Sequence, residues 1–306
     1  MVLQGGFSMR VFVTGATGFV GTEVVQDLLK AGHSVLGLAR SDTNAAALEA
    51  AGAEVHRGDL EDLDRLRSGA AAADGVIHCG FIHDFNRFQE VCAIDRRAIE
   101  VLGEALVGSD RPLVVTSGVG IGSPGPGRLA VEDHVDLSHP NPRTASEQAV
   151  DGLAARGVRV SVVRLPQVHN TLKQGLVTMA IGMARQKGRS AYIGDGTSRW
   201  SAVHLLDAAP VYRLALEKGT PGARYHAVSE EGVTSRAVAE ALGRGLNLPV
   251  VSLTPEEAAD HFGWFAFFAG LDLPASSALT QQRLGWRPTQ AAGLIEDLDH
   301  MDWSAV

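Results

Sequence analysis

The chain has 306 residues, enough for one large domain or two modest ones around a full core. It is 45% apolar and 20% charged, and its net charge of −8 argues against nucleic acid or an anionic membrane as a partner. Two cysteines (Cys79 and Cys92), no Cys/His spacing of a metal site and no window of ~18 apolar residues point away from a disulfide scaffold, a metal centre and a membrane span. The expectation is a cytoplasmic protein whose residues 1–8 are an unstructured leader without signal-peptide features.

The first predicted element carries the most information. Val11 to Thr14 reads as a buried strand, and Gly15, Gly18 and Gly21 follow in the spacing G-x-x-G-x-x-G before an apolar-periodic helix over 18–31. Strand, glycine turn and helix in that order make a dinucleotide cradle. Gly15 turns the chain, Gly18 lets backbone approach a pyrophosphate, Gly21 lets the helix pack on the sheet, and the bare amides of the helix start attract phosphate oxygens.

The alternation continues with strands over 34–39, 54–57, 74–79, 112–117 and 158–165, and helices over 43–51, 61–68, 85–107 and 144–156. The strands are near-continuous Val/Ile/Leu runs, the pattern of a parallel sheet covered on both faces. Repeated βα units with right-handed crossovers predict an α/β fold, a Rossmann-type doubly wound parallel sheet with its ligand crevice beyond the carboxyl ends of the strands. The stretch 118–142, with its Gly122-Ser123-Pro124-Gly125-Pro126-Gly127 tract, is long enough to be a lid or binding loop. After residues 166–172 the regular alternation stops; helices over 176–187, 205–217 and 235–244 and strands over 191–193 and 224–227 remain. The reading is a dinucleotide-binding domain over 9–170 and a smaller C-terminal substrate-side portion over 171–306 that weaves back to the sheet. The aromatic stretch 262–270 reads as core packing ahead of a substrate wall or dimer patch.

An ordered set of motifs spans most of the chain: Thr14 to Gly21, Gly58-Asp59-Leu60, Val76-Ile77-His78-Cys79-Gly80, Val115-Thr116-Ser117, Arg164-Leu165-Pro166, and Arg199 to His204 with Asp207. In these the chain resembles the short-chain dehydrogenase/reductase superfamily, in its extended or atypical epimerase/dehydratase-like branch. The resemblance implies a nicotinamide dinucleotide held by Gly15, Thr17, Gly18, Phe19, Val20 and Gly21. It further implies that Asp59 and Leu60 flank the adenine, that Gly80, Phe81 and Thr116 line the nicotinamide side, and that Pro166 and Val168 touch the ring. It also makes a homodimer through the helices over 85–107 and 144–156 plausible. In this fold an acid ending strand two selects NAD, whereas an arginine there accommodates the 2′-phosphate of NADP. Strand two ends Leu38-Ala39-Arg40-Ser41, so the guanidinium fork of Arg40 and the Ser41 hydroxyl favour NADP(H), with NAD(H) as the alternative; Asp42 is one step too far to be the selector.

The reacting end departs from that family. Its usual engine is a serine with a Tyr-x-x-x-Lys pair, but the tyrosines here are Tyr192, Tyr212 and Tyr225, all downstream of the expected helix. Two registers fit the segment from His139 to Glu147. One puts Arg143 at the tyrosine and Glu147 at the lysine. The other, without a gap, puts His139 at the tyrosine and Arg143 at the lysine, although Pro140 and Pro142 push the helix start downstream. Ser117, at the family's serine position, is a candidate donor to a substrate oxygen, against the simpler reading of a strand-end hydroxyl bonding local backbone. His83 follows strand four and could protonate an oxyanion, with His169 a weaker candidate of the same kind. The adjacent Asp84 reads equally as the cap of the next helix, and His78 and His204 read as buried structural residues. Hydride transfer to a plain ketone makes an alkoxide that must be protonated; transfer to a quinone or enone makes a delocalised anion, for which a hydrogen-bond donor or cation suffices. The expectation is therefore an NADPH-dependent oxidoreductase acting on a carbonyl or quinone/enone small molecule. The alternatives are quinone-directed oxygenation with the same cofactor, as in polyketide tailoring, and a catalytically inactive NADP-binding sensor or scaffold.

Overall fold

In the computed structural model, which describes residues 8–138 and 141–304, strands and helices alternate from the first element onward. They run β1 (Arg10–Thr14), α1 (Phe19–Lys30), β2 (Ser34–Ala39), α2 (Asp42–Ala50), β3 (Glu54–Arg57), α3 (Leu63–Ala71), β4 (Gly75–His78), α4 (Phe88–Glu104), β5 (Pro112–Gly118), α5 (Thr144–Ala155) and β6 (Arg159–Leu165). Residues 1–7 of the expected leader, and His139, lie outside the described residues. The chain divides into two compact units: one holds the residues up to Ser117, Leu137–Arg164 and Ala209–Tyr225, the other Gly118–Asp136, Leu165–Ala208 and the residues from His226 onward.

The first unit is built on a seven-stranded sheet ordered Arg224–His226, β6, β5, β4, β1, β2, β3. β1 pairs in parallel with β2 and β4, β2 with β3, and β4 with β5. Val11, Phe12 and Val13 in β1, Val76 and Ile77 in β4 and Leu113 to Val115 in β5 are all fully buried, which explains why these strands read as unbroken apolar runs: helices cover both faces. Phe12, Val76, Leu113 and Val115 pack with Ile99 and Leu102 of α4 and Leu153 of α5 in one core cluster. The chain moves outward from β1 through β2 and β3, then returns to β4 on the other side of β1. That reversal leaves a crevice at the carboxyl ends of β1 and β4, where Thr14 and His78 are register partners.

Two glycines are required at this point. Gly15 sits at φ +64°, and a Cβ on it would come within 2.6 Å of the Gly80 amide nitrogen; a Cβ on Gly21 would meet the Gly15 carbonyl oxygen at 2.0 Å. The turn after β1 therefore lies directly on backbone following β4, and α1 starts against the turn itself. α4 departs from the expected 85–107: a 3-10 turn over Phe85–Arg87, capped by Asp84, precedes it, and it ends at Glu104.

The second unit holds a three-stranded sheet ordered Glu230–Thr234, Arg199–His204, Gln167–His169 and a parallel pair formed by Ser190–Ile193 with Val250–Leu253. The stretch expected as a lid is tied into this unit. It opens on the 3-10 turn Val119–Gly122, Ala130 bridges Ala275 in parallel, and Val119, Ala130, Val228 and Ala275 share a small core. The aromatic stretch divides: Phe262 and Phe265 are buried, whereas Phe267 is 59% exposed.

Candidate active site

The residues expected to hold a dinucleotide occupy the carboxyl ends of β1, β2 and β4. Gly15, Thr17 and Gly18 form the turn after β1, closed by a hydrogen bond from the Gly18 amide to the Gly15 carbonyl at 2.9 Å; Phe19, Val20 and Gly21 open α1. Gly18 is the N-cap, no side chain caps this helix, and its first turn carries no acidic residue. That N-terminus presents amides and the positive end of the helix dipole with nothing acidic to oppose an incoming phosphate. α2 contrasts with it, its N-terminus being capped by the Ser41 hydroxyl, which accepts from the Asn44 amide at 3.2 Å. Arg40, immediately after β2, is exposed. Leu60 packs on Gly80, where a Cβ would meet its side chain at 2.9 Å, and Asp59 is held in its loop by the amides of Glu61 and Asp62 at 2.9 and 3.0 Å. An uncapped helix start, two glycines admitting no side chain and an arginine at the strand-two rim fit a phosphate-bearing dinucleotide.

The other end of the crevice is a buried network of charged and polar side chains. Thr14 at the end of β1 accepts from the Gly80 amide at 3.3 Å, and its hydroxyl lies 2.7 Å from His78 Nδ1. His78 Nε2 faces Asp95 Oδ1 at 3.1 Å, so its proton points to the carboxylate and Nδ1 is left to accept from Thr14. Asp95 Oδ2 accepts from the Ser146 hydroxyl at 2.6 Å and from Arg143 Nη1. Arg143 Nη1 also donates to Ser146 at 2.7 Å, Arg143 Nη2 donates to the Thr116 carbonyl at 2.8 Å, and the guanidinium lies 4.2 Å from the centre of the Phe81 ring. Burial would raise the Asp95 carboxyl, but Arg143, then His78 and Ser146, outweigh it and hold it below the usual carboxylate range. Arg143 is thus a fixed cation at the end of β5. Its Nε and its second Nη2 proton make no hydrogen bond to any described residue.

The other candidates fall into place around this network. Ser117 is buried in β5; its hydroxyl makes no hydrogen bond to local backbone and faces the Glu147 carboxylate, which it helps to hold low. Its neighbour Thr116 is engaged, donating to the His78 carbonyl at 2.8 Å and lying 3.0 Å from the Tyr212 hydroxyl. Tyr212 is fully buried, and burial first of all pushes its pKa well up, so it does not stand in for the family's acid/base tyrosine. Cys79 is likewise pushed up to about 12 by burial, and both cysteines are free thiols. Glu147, beside Ser117, is committed to a buried ion-pair cluster. Arg164 donates to both its carboxylate oxygens at 2.7 Å and Arg224 to one at 3.2 Å, a buried cluster that holds α5 to β6. Its carboxyl, which burial alone would raise, is held low by these arginines. His83 is exposed, its ring 5.5 Å from that of Phe81. Pro166 and Val168 belong to the second unit, Val168 buried in Gln167–His169. His169 is also there, fully buried, with Nδ1 2.6 Å from Asp297; His204, expected to be buried, is partly exposed.

Asp95, Ser146 and the role of His78 are what sequence reasoning missed. The signal was present: Asp95 interrupts the apolar stripe Val91, Ile94, Ala98, Ile99, Leu102 of α4, and Ser146 the stripe Ala149, Val150, Leu153 of α5. A carboxylate in a core-facing stripe needs a buried partner.

Comparison with known proteins identifies the family. The NAD(P)H-binding family profile matches residues 15–193. An uncharacterised protein of Schizosaccharomyces pombe is 50% identical over 291 residues, covering 95% of this chain and 98% of its own length. The 4-hydroxy-2-methyl-3-oxo-4-farnesyl-3,4-dihydroquinoline-1-oxide ketoreductase of Stigmatella aurantiaca is 26% identical over 301 residues, covering 87% of this chain and 84% of its own. Among solved structures, the dTDP-glucose 4,6-dehydratase DesIV of Streptomyces venezuelae, with NAD bound, superposes with a TM-score of 0.76 at 19% identity over 97% of each chain. No helix among the described residues is long and apolar enough to cross a membrane. The chain belongs to the NAD(P)H-binding family.

Proposed function

We propose that this chain is an NADPH-dependent oxidoreductase that delivers hydride to a carbonyl conjugated as in a quinone or enone. The observation that carries the reading is the pair of groups at the end of β5: a buried Ser117 hydroxyl that makes no hydrogen bond to local backbone, and the Arg143 guanidinium held by Asp95 with donor protons to spare. The bound nicotinamide supplies the hydride. The turn Gly15–Gly18 and the start of α1 hold the pyrophosphate, and Arg40 with Ser41 receives the 2′-phosphate, which favours NADP(H) over NAD(H). Ser117 donates a hydrogen bond to the substrate oxygen, and Arg143 stabilises the negative charge that develops on it. An arginine does not release its proton at ordinary pH, so this site stabilises an anion better than it protonates an alkoxide. That chemistry suits an acceptor whose reduced form is already a delocalised anion. The likeness to a ketoreductase of a quinoline oxide supports a cyclic, conjugated ketone as the substrate class.

The test is NADPH oxidation by the purified protein across a panel of quinones, enones and simple ketones. Turnover with quinones or enones at least tenfold above simple ketones is expected, together with a fall of about 10²-fold in kcat for Ser117→Ala. No oxidation with any class, alongside tight NADPH binding, overturns the proposal in favour of a sensor, and stoichiometric oxygen uptake overturns it in favour of oxygenation.

A further inference from the structure

At the rim where Arg40 was read as the phosphate ligand, the ends of β2 and β3 bring a second arginine, Arg57, onto neighbouring backbone, and of the two only Arg57 has a partner among the described residues. Ala39 and Arg57 are register partners in β2 and β3, and the Gly58 amide donates to the Ala39 carbonyl at 3.2 Å. Adjacent parallel strands are ~4.8 Å apart, so Arg57 lies opposite Ala39 and Arg40 follows one residue on, its backbone a diagonal neighbour. Arg40 is exposed and makes no hydrogen bond or ion pair to any described residue. Arg57 is held: its Nη2 lies 2.6 Å from Oδ1 of Asp42, the first residue of α2.

That pair is built to exchange. Half of the Arg57 side chain and 99% of the Asp42 side chain are exposed, and ion pairs so open to water hold only weakly. A phosphate dianion accepts two parallel hydrogen bonds from a guanidinium and carries more charge than a carboxylate, so it competes well for the same fork. In its absence Asp42 keeps Arg57 beside the α2 start.

We propose that Arg57 is a second ligand of the ribose 2′-phosphate and Asp42 its built-in competitor, so that the Asp42–Arg57 pair sets how strongly the chain prefers NADPH over NADH. The proposal rests on Arg40 receiving that phosphate. With NADH, which has no 2′-phosphate, Arg57 stays on Asp42 and neither residue contributes.

The test is direct titration of NADPH and NADH against the full-length protein and its Arg40→Ala, Arg57→Gln and Asp42→Asn variants, with affinity as the readout. Arg57→Gln is expected to weaken NADPH about tenfold and NADH less than twofold. Asp42→Asn is expected to strengthen NADPH about threefold or more, again sparing NADH. The NADH affinity reports in each case that the variant is folded. Arg40→Ala tests the underlying reading separately, by a loss confined to NADPH. If Arg57→Gln weakens both nucleotides equally or neither, or if Asp42→Asn weakens NADPH, the pair is only a staple between β3 and α2 and the inference fails, even where Arg40→Ala behaves as expected. If Arg40→Ala also leaves NADPH untouched, the reading beneath it fails too.

Discussion

The two ends of the crevice in the first unit are made of different materials. The phosphate end is mostly backbone: the Gly15–Gly18 turn, the uncapped start of α1, and two positions where no side chain fits. The reacting end is almost all side chain: Thr14, His78, Asp95, Ser146 and Arg143, drawn from β1, β4, α4 and the start of α5. The first offers backbone amides and the helix dipole, and no acidic side chain stands in the first turn of α1. The second concentrates an ion pair in a core where desolvation is costly, so each member depends on the others. A backbone site tolerates change in its surroundings but not in its glycines; a buried network fails if any one partner is removed.

The largest expected effect tests that dependence. Asp95→Asn leaves Arg143 without its counter-charge and should cost about 3–5 kcal/mol, read as a lowered urea midpoint. Asp95→Leu combined with Arg143→Met should recover most of that loss while abolishing turnover, because a buried pair replaced by apolar side chains is near neutral in stability. If the single variant costs less than 1 kcal/mol, the network is not a buried unit and the contrast collapses.

At the other end the expected effect is smaller in stability and larger in binding. Gly15→Ala places a side chain at φ +64° against the Gly80 backbone and should cost about 2 kcal/mol. Dinucleotide affinity should fall more than tenfold, measured by the same titration. An unchanged affinity would mean that the turn is not the cradle.

The smallest effect near neutrality separates the ends by pH. Asp95 and Glu147 are both held below their usual carboxylate range in the folded chain. The stability they contribute is present above the unfolded carboxylate value of about 4 and is lost as pH falls through their lower folded values. Acid unfolding should therefore steepen below pH ~4, and Asp95→Asn should blunt it, whereas Gly15→Ala should leave its shape unchanged. Equal acid profiles for the two variants would place the acid-sensitive groups elsewhere.

The sequence by itself determined the sheet, the glycine turn before α1 and the absence of the usual tyrosine and lysine. Unbroken apolar strands, helical periodicity and the spacing of Gly15, Gly18 and Gly21 are local patterns, and a site made of backbone is specified by the residues that form it. Loop closure was less legible: residues 118–142 look free in sequence, but Ala130 is fixed by its bridge to Ala275. The short strands Arg199–His204, Glu230–Thr234 and Val250–Leu253 gave little signal, since each is only four to six residues long and partly exposed. Only the tertiary structure decided the roles of the charged residues. Nothing local pairs Arg143 with Asp95, 48 positions away, or turns Glu147 onto Arg164 and Arg224. A buried charge settles where desolvation is offset by its partners, and those partners come together only once the sheet has closed.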